Sequence, residues 1–413
     1  MLTLFISHSL QTFDAVRAAG AGTRLEEVVR CLAGDCCRDG LGLSTEDRRR
    51  LESEVHVFVH AAASVRFDDS LQKAVLQNTR AAREVSALAA GMHKLKVLVH
   101  VSTAYCNTHQ PVIEERVYPM PPETRADWRE ILRLAETVSE KELAARVATG
   151  YHPNTYTFSK ALAEQVMRDH SDRLNVAIFR PSMVIAAVKE PMPGWTTNFN
   201  GPLGLALGIT KGLVHTVLAD KDAALDMVPV EMVVNGIILA VREGILRPQS
   251  GLRVYNGCAS QRKTLPVREL VACALRSCRR APHDRVLWHP SVAMTGSVAW
   301  FTFLSCLLHF LPAIAVDAVC RVTGYPPRLF KTFKRVYRSN VLVGYFARQQ
   351  WVFENDNFFG LSGTLSAEDA ATFKLDYSDL NEEEYFRAHL QYLRRYVLKE
   401  NMDKKAARRN QTM

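Results

Sequence analysis

Four side chains in this sequence have the types and spacing to move a proton at a carbonyl oxygen. Tyr156 and Lys160 sit four residues apart in the run Tyr156-Thr157-Phe158-Ser159-Lys160. On a helix, residues i and i+4 share a face, so phenol and ammonium are expected to open onto one site. A neighbouring ammonium favours the phenolate and draws a tyrosine pKa down from about 10. Such a group can give a proton to, or take one from, a reacting carbonyl oxygen. Ser102 and Thr103 follow a valine-rich run at 97–101. Open parallel sheets bind ligands beyond the C-terminal ends of their strands, where either hydroxyl can hold the same oxygen. A Y-x-x-x-K pair alone is a weak signal, so the case depends on the elements that position it.

Those elements alternate. Strands are expected at 27–33 (EVVRCLA), 55–60 (VHVFVH), 97–101 and 176–179. Helices are expected at 69–92 and 156–169, and a polar one over 43–53 with Ser44 as its cap and Asp47 three residues on. This rhythm predicts an α/β fold, a parallel sheet with helices on both faces. Strand ends would gather Asp35, the stretch 61–64 and Pro181-Ser182 beside the two hydroxyls.

Length and composition bound the reading. The chain has 413 residues, 47% of them hydrophobic and 23% charged, which excludes a disordered chain, a collagen-like repeat and a polytopic membrane protein. A net charge of +9 suits anionic small ligands, a negative membrane surface or nucleic acid without choosing among them. Nine scattered cysteines with no C-x-x-C argue against a disulfide framework or a zinc site. The apolar start, 1–10, lacks a basic region and a cleavage site, and no signal peptide is expected.

The rhythm breaks near residue 285. No Lys, Arg, Asp or Glu occurs between Arg285 and Asp317, and 298–316 is almost wholly apolar, long enough to cross a bilayer. His309 and Pro312 interrupt it, so a shallow hairpin or a buried helix is also open. The following run, 327–338 (PRLFKTFKRVYR), alternates an apolar face with Arg328, Lys331, Lys334, Arg335 and Arg338. A basic amphipathic helix beside an apolar segment points to a membrane surface, a solvated basic face being the alternative. Basic residues interleaved with apolar ones argue against nucleic-acid binding.

Six stretches carry a family resemblance: HAAASVRFDDSL (60–71), VHVSTAY (99–105), NTYTFSKALAEQ (154–165), RPSMV (180–184), PGWTTNFNGPLG (193–204) and VPVEMVVN (228–235). They resemble the fatty acyl-CoA reductases, extended short-chain dehydrogenases/reductases, and GYFARQQWVFENDN (344–357) resembles that family's C-terminal helical domain. The resemblance implies an incomplete Rossmann-like doubly wound parallel sheet followed by a mostly helical C-terminal domain. It implies an NAD(P)-binding reductase domain at 13–280, an apolar membrane-associated segment at 286–319, a helical domain at 311–400 and a disordered basic tail at 401–413. Tyr156 would be the proton donor, with Lys160 as its partner and a cofactor ribose contact. Thr103, or else Ser102, would fix the carbonyl. Asp35, Ala61 and Ala62 would line the adenine and ribose side, Asn78 would lie beside the cofactor, and Pro181 and Ser182 would pack near the nicotinamide. Trp195 would be a loop anchor or an acyl-chain contact.

The implied reaction is NADPH-dependent reduction of a long-chain acyl-CoA to a fatty alcohol through a bound aldehyde, at an endoplasmic reticulum or peroxisome membrane with the site facing the cytosol. The sequence departs from the family in lacking a T-G-x-x-G-x-x-G turn; Gly20 and Gly22 sit too close to Asp35 to replace it. That turn lets backbone N–H groups reach a pyrophosphate. Its absence predicts an N-terminally truncated reductase whose 55–60 strand has an open edge. It leaves two further readings: a non-catalytic relative that keeps the fold and acyl binding, and a sugar-nucleotide epimerase, which the apolar segment disfavours. A second departure is Ala81-Ala82 where the family usually has Gly-Thr.

Overall fold

The computed structural model describes residues 29–120, 124, 127–197, 201–248, 251–260, 262–284 and 286–402. Its centre is a parallel sheet of four strands: β1 (Val57–His60), β2 (Val97–Val101), β3 (Val176–Pro181) and β4 (Leu252–Gly257), in the order β1-β2-β3-β4. Val57 pairs with Val97, Leu98 with Val176, and Val176 with Leu252.

Alternate side chains of these strands point to opposite faces. Leu98, Ile178 and Val254 join the core on one side, with Val85, Leu162 and Val166 from two helices. Val97, Val99, Ala177, Phe179 and Tyr255 join the other core, with Met232 and Leu239. A sheet covered on both faces needs near-continuous apolar strands, which is why these read as valine-rich runs rather than alternations.

The helices are α1 (Thr45–Glu54), α2 (71–90), α3 (Thr155–His170) and α4 (Val230–Leu246). Ser44 caps α1, its hydroxyl accepting the Asp47 N–H at 3.0 Å, as the spacing predicts. A π-helical stretch, Val75–Arg80, interrupts α2; such bulges cluster at functional sites. Ala81 and Ala82 are fully buried at the end of it, so alanine packs where the family usually has Gly-Thr. Around Phe179 there is room only for glycine: a Cβ on Gly257 or Gly236 would come within 2.6 or 2.7 Å of its ring.

One strand expectation fails. Within 27–33, the described residues 29–33 are irregular. A strand needs a ladder partner, and the outer edge of β1 is unpaired among the described residues. Gly20, Gly22 and residues 403–413 of the basic tail lie outside the described residues.

The C-terminal part is mostly helical: Val298–Val322 (α5), Leu329–Ala347 (α6) and Glu382–Tyr392 (α7). His309 and Pro312 do not break α5. A π stretch at Cys306–Phe310 absorbs the irregularity just before Pro312, the second residue of the α segment that follows. Val352–Phe353 pairs in parallel with Val112–Ile113. The Glu115 carboxylate accepts the Asn256, Asn357 and Phe358 N–H groups, which fastens the C-terminal segment to β4.

Candidate active site

The site lies beyond the C-terminal ends of β1, β2 and β3. Asn154 caps α3 by accepting the Thr157 N–H at 2.9 Å, which sets Tyr156 in the first helical turn. The Thr103 side chain lies beside the phenol and favours its ionised form. One turn on, the buried Lys160 ammonium donates to the Val101 carbonyl at 2.6 Å. Tyr156, Lys160 and Thr103 therefore meet where β2 ends.

The electrostatics correct the sequence expectation. Burial, with the Cys106 thiol adding to it, pushes the Tyr156 phenol above its ordinary value, and the neighbouring Thr103 side chain only partly offsets this. Burial outweighs any lowering by Lys160, whose ammonium bonds the Val101 carbonyl. Burial lowers Lys160 itself to about 8, against the pull of Glu164. Beneath it, the rings of His60 and His100 lie 5.1 Å apart. Burial and the lysine charge bring His60 to about 3 and His100 well below its usual value, so both are neutral.

Ser102 belongs to another network. Its hydroxyl donates to Glu164 Oε1 at 2.6 Å, away from the phenol. Glu164 is also gripped by Arg180, Nε to Oε1 at 2.8 Å and Nη2 to Oε2 at 2.7 Å. Both partners of this forked pair are buried. Arg180 reaches further, to the carbonyls of Glu114 and Arg116 at 3.1 and 2.8 Å. The sequence reading missed this hub. The signal was available, since Tyr156, Lys160 and Glu164 recur at i, i+4 and i+8 on one helical face.

The remaining candidates divide. Ala61 and Ala62 are exposed just past β1, leaving that strand end open. Pro181 ends β3 opposite Gly257, and the Ser182 N–H donates to the Gly257 carbonyl at 3.2 Å. Asn78 is buried with its amide fully used: it accepts the Ser64 N–H at 2.9 Å and donates to the Ser64 carbonyl and the Ser159 hydroxyl. It clamps the loop after β1 onto α3. Asp35 is exposed and closes its own turn, accepting the Cys37 N–H at 2.8 Å; the strand expected before it is absent. Trp195 is partly buried, and its carbonyl accepts the Ala187 N–H.

A second unforeseen feature is aromatic. Phe67 stacks on Tyr156 with ring centres 5.7 Å apart, and Phe346 of α6 packs on Phe67 at 5.7 Å. Tyr105 meets Phe346 edge-on at 5.1 Å. The C-terminal part thus contributes to the cover over the Tyr156 ring. Among the described residues no group of three or more His, Cys, Asp or Glu is arranged to hold a metal ion.

A parallel sheet with a Tyr–Lys helix opening at its strand ends defines a Rossmann-type, nicotinamide-nucleotide oxidoreductase. The NAD-binding model described as Male sterility protein matches residues 7–237, and the Sterile model with the same description matches 308–400. Curated relatives include fatty acyl-CoA reductase 1 of Xenopus laevis, 36% identical over 91% of this chain and 72% of that one. The human protein of that name is 34% identical over 94% and 75%. A solved terminal R domain from the myxalamid PKS-NRPS pathway aligns with TM-score 0.56 at 18% identity, over 87% of this chain and 73% of that one, a likeness of fold. The chain belongs to the fatty acyl-CoA reductase family.

Proposed function

We propose that this chain reduces a long-chain fatty acyl-CoA to a fatty alcohol at the expense of NADPH, through an aldehyde that stays bound. The observation that carries the reading is the Tyr156 phenol beside the Thr103 side chain, one turn from the buried Lys160, in a chain of this family. When bound, the cofactor supplies a hydride. Thr103 and Tyr156 hold the thioester oxygen between two hydroxyls, and the phenol gives its proton to that oxygen as charge develops on it. A phenol raised by burial is protonated at neutral pH, as a donor must be. The resulting hemithioacetal loses CoA as its thiol and leaves the aldehyde; a second hydride and proton give the alcohol. Phe67 and Phe346 keep water from the reacting carbonyl.

The residues present fit the nicotinamide half of the cofactor. Lys160, Ala61, Ala62, Pro181 and Ser182 would line it, Asn78 would hold the Ser64 loop in place, and Asp35 would serve the adenine side. The pyrophosphate cradle is the misfit, because this sequence contains no T-G-x-x-G-x-x-G turn. That departure favours a second reading, a non-catalytic relative that keeps the fold and acyl binding. Mixing the chain with long-chain acyl-CoA and NADPH is expected to consume two NADPH per alcohol formed. Tyr156→Phe is expected to slow this by about 10²–10⁴-fold. Turnover untouched by Tyr156→Phe would overturn the first reading; no product and no saturable NADPH binding would favour the second. The same proposal sets the enzyme at an endoplasmic reticulum or peroxisome membrane with its site toward the cytosol. It draws support from one helix long and apolar enough to cross a bilayer.

A further inference from the structure

We propose that α5 and α6 form a docking face for an anionic lipid surface, with α5 lying in the plane of one leaflet and not crossing the bilayer. This deepens the membrane part of the reading above and rests on it.

Length and composition alone would let α5 span, since it has 25 residues and an 18-residue stretch of mean hydropathy 1.9. Its packing says otherwise. Phe301, Ser305, His309, Ala313 and Asp317 are buried, every fourth residue along nearly the whole helix. This single stripe fixes α5 to the protein at successive points. The Thr302 and Tyr337 hydroxyls are hydrogen-bonded at 2.9 Å. His309 Nε2 accepts the His215 N–H at 2.9 Å, and its ring stacks on Phe333 of α6. The Asp317 carboxylate accepts the Arg328, Leu329 and Phe330 N–H groups at 3.1, 3.0 and 2.9 Å, capping the start of α6. A spanning helix would have to break these bonds and carry a carboxylate into hydrocarbon.

The opposite face has no such partners. Trp300, Phe303, Leu307, Leu311 and Ile314 are each more than half exposed, apart from Leu307 at 50%. An apolar patch of this extent is uncommon on a soluble surface and marks an interaction site. The surrounding charge selects the occupant. Between residues 286 and 353 there are seven Lys or Arg and one acidic residue, Asp317, which is spent on capping α6. Arg321, Arg328, Lys331, Lys334, Arg335 and Arg338 are exposed. An apolar helix rimmed by cations matches acyl chains below anionic headgroups. A second copy of the chain fits worse, because a two-fold pairing of this face brings two basic clusters together. Docking here also serves the site. From Lys331 to Phe346 α6 runs about 22 Å at 1.5 Å per residue, which links the lipid-facing end to the aromatic cover over Tyr156.

The test is flotation of the full chain with phosphatidylcholine vesicles, with and without phosphatidylserine. The expected result is co-flotation that needs phosphatidylserine and weakens with salt. It should fall at least tenfold in K331E/K334E/R335E/R338E and in L307E/L311E. Quenching by brominated lipids reports depth: Trp300, and tryptophans introduced as Leu311→Trp and Val319→Trp, should all be quenched best by the same shallow bromine position. Quenching of Leu311→Trp by the deepest bromines would overturn the in-plane arrangement in favour of a span. Binding indifferent to charge reversal would overturn the anionic partner. Self-association through this face without flotation would overturn docking altogether. Reductase turnover on dispersed acyl-CoA is read in parallel. Turnover without flotation counts against docking alone, and flotation without turnover counts against the reductase reading alone.

Discussion

Tyr156, Thr103 and Lys160 divide one task among three kinds of side chain. In the proposed reaction the phenol is the donor, the threonine hydroxyl aims it, and the ammonium brings charge into a pocket that otherwise excludes it. Since burial holds Lys160 at about 8, the ammonium is present below that pH and lost above it. A pH profile of kcat/KM is therefore expected to decline as pH rises through about 8. Lys160→Arg, whose charge does not titrate there, should abolish that limb even if it lowers the rate. Thr103→Val should reduce kcat by removing the hydroxyl beside the phenol. Ser102→Ala should instead act on stability, costing about 1 kcal/mol in urea unfolding, because Glu164 loses a buried donor.

At the scale of elements, α3 is held against β3 by one buried ion pair. Glu164 and Arg180 are both fully enclosed. Such a pair is weak evidence of net stabilisation, because both charges had to leave water. Breaking it is another matter. Glu164→Ala leaves the Arg180 guanidinium buried without its counter-charge and is expected to cost about 3–5 kcal/mol, read as a lower urea midpoint. Asn78→Ala should loosen the loop after β1, since that amide alone joins Ser64 to Ser159. The expected signature is faster amide exchange at Ser64 with α2 otherwise unchanged. The i, i+4, i+8 spacing on α3 made this face legible. That Glu164 pairs with Arg180 and not with Lys160 was not, because β3 approaches from 16 residues away.

Across the whole molecule, the C-terminal segment closes back onto the rest through Glu400. Burial opposes ionisation of this carboxyl, but the Lys211 ammonium at 2.7 Å and Arg394 at 3.0 Å outweigh it and bring it to about 2. The contribution is complete above the ordinary carboxylate value of 4.5 and is lost as pH falls through about 2. Acid unfolding of the wild type is expected to steepen over that window, and Glu400→Gln to flatten it. The same scale governs the apolar run of α5, where only its docking on α6 determines which residues are buried and which are exposed.

The sequence by itself determined the strands expected at 55–60, 97–101 and 176–179, the two-sided cover of the sheet and the Tyr–Lys face of α3, because periodicity and capping are local and survive without a partner. It also determined the absence of a glycine-rich turn. Of the strand it predicted at 27–33, the described residues 29–33 are irregular, since a strand exists only when a neighbour completes its ladder. Tertiary structure alone engaged Ser102 with Glu164 and raised the phenol that a nearby ammonium was expected to lower. It also brought Phe346 onto Phe67, the ring that stacks on Tyr156. Each of these depends on which groups share a desolvated space, and contact between distant segments decides that.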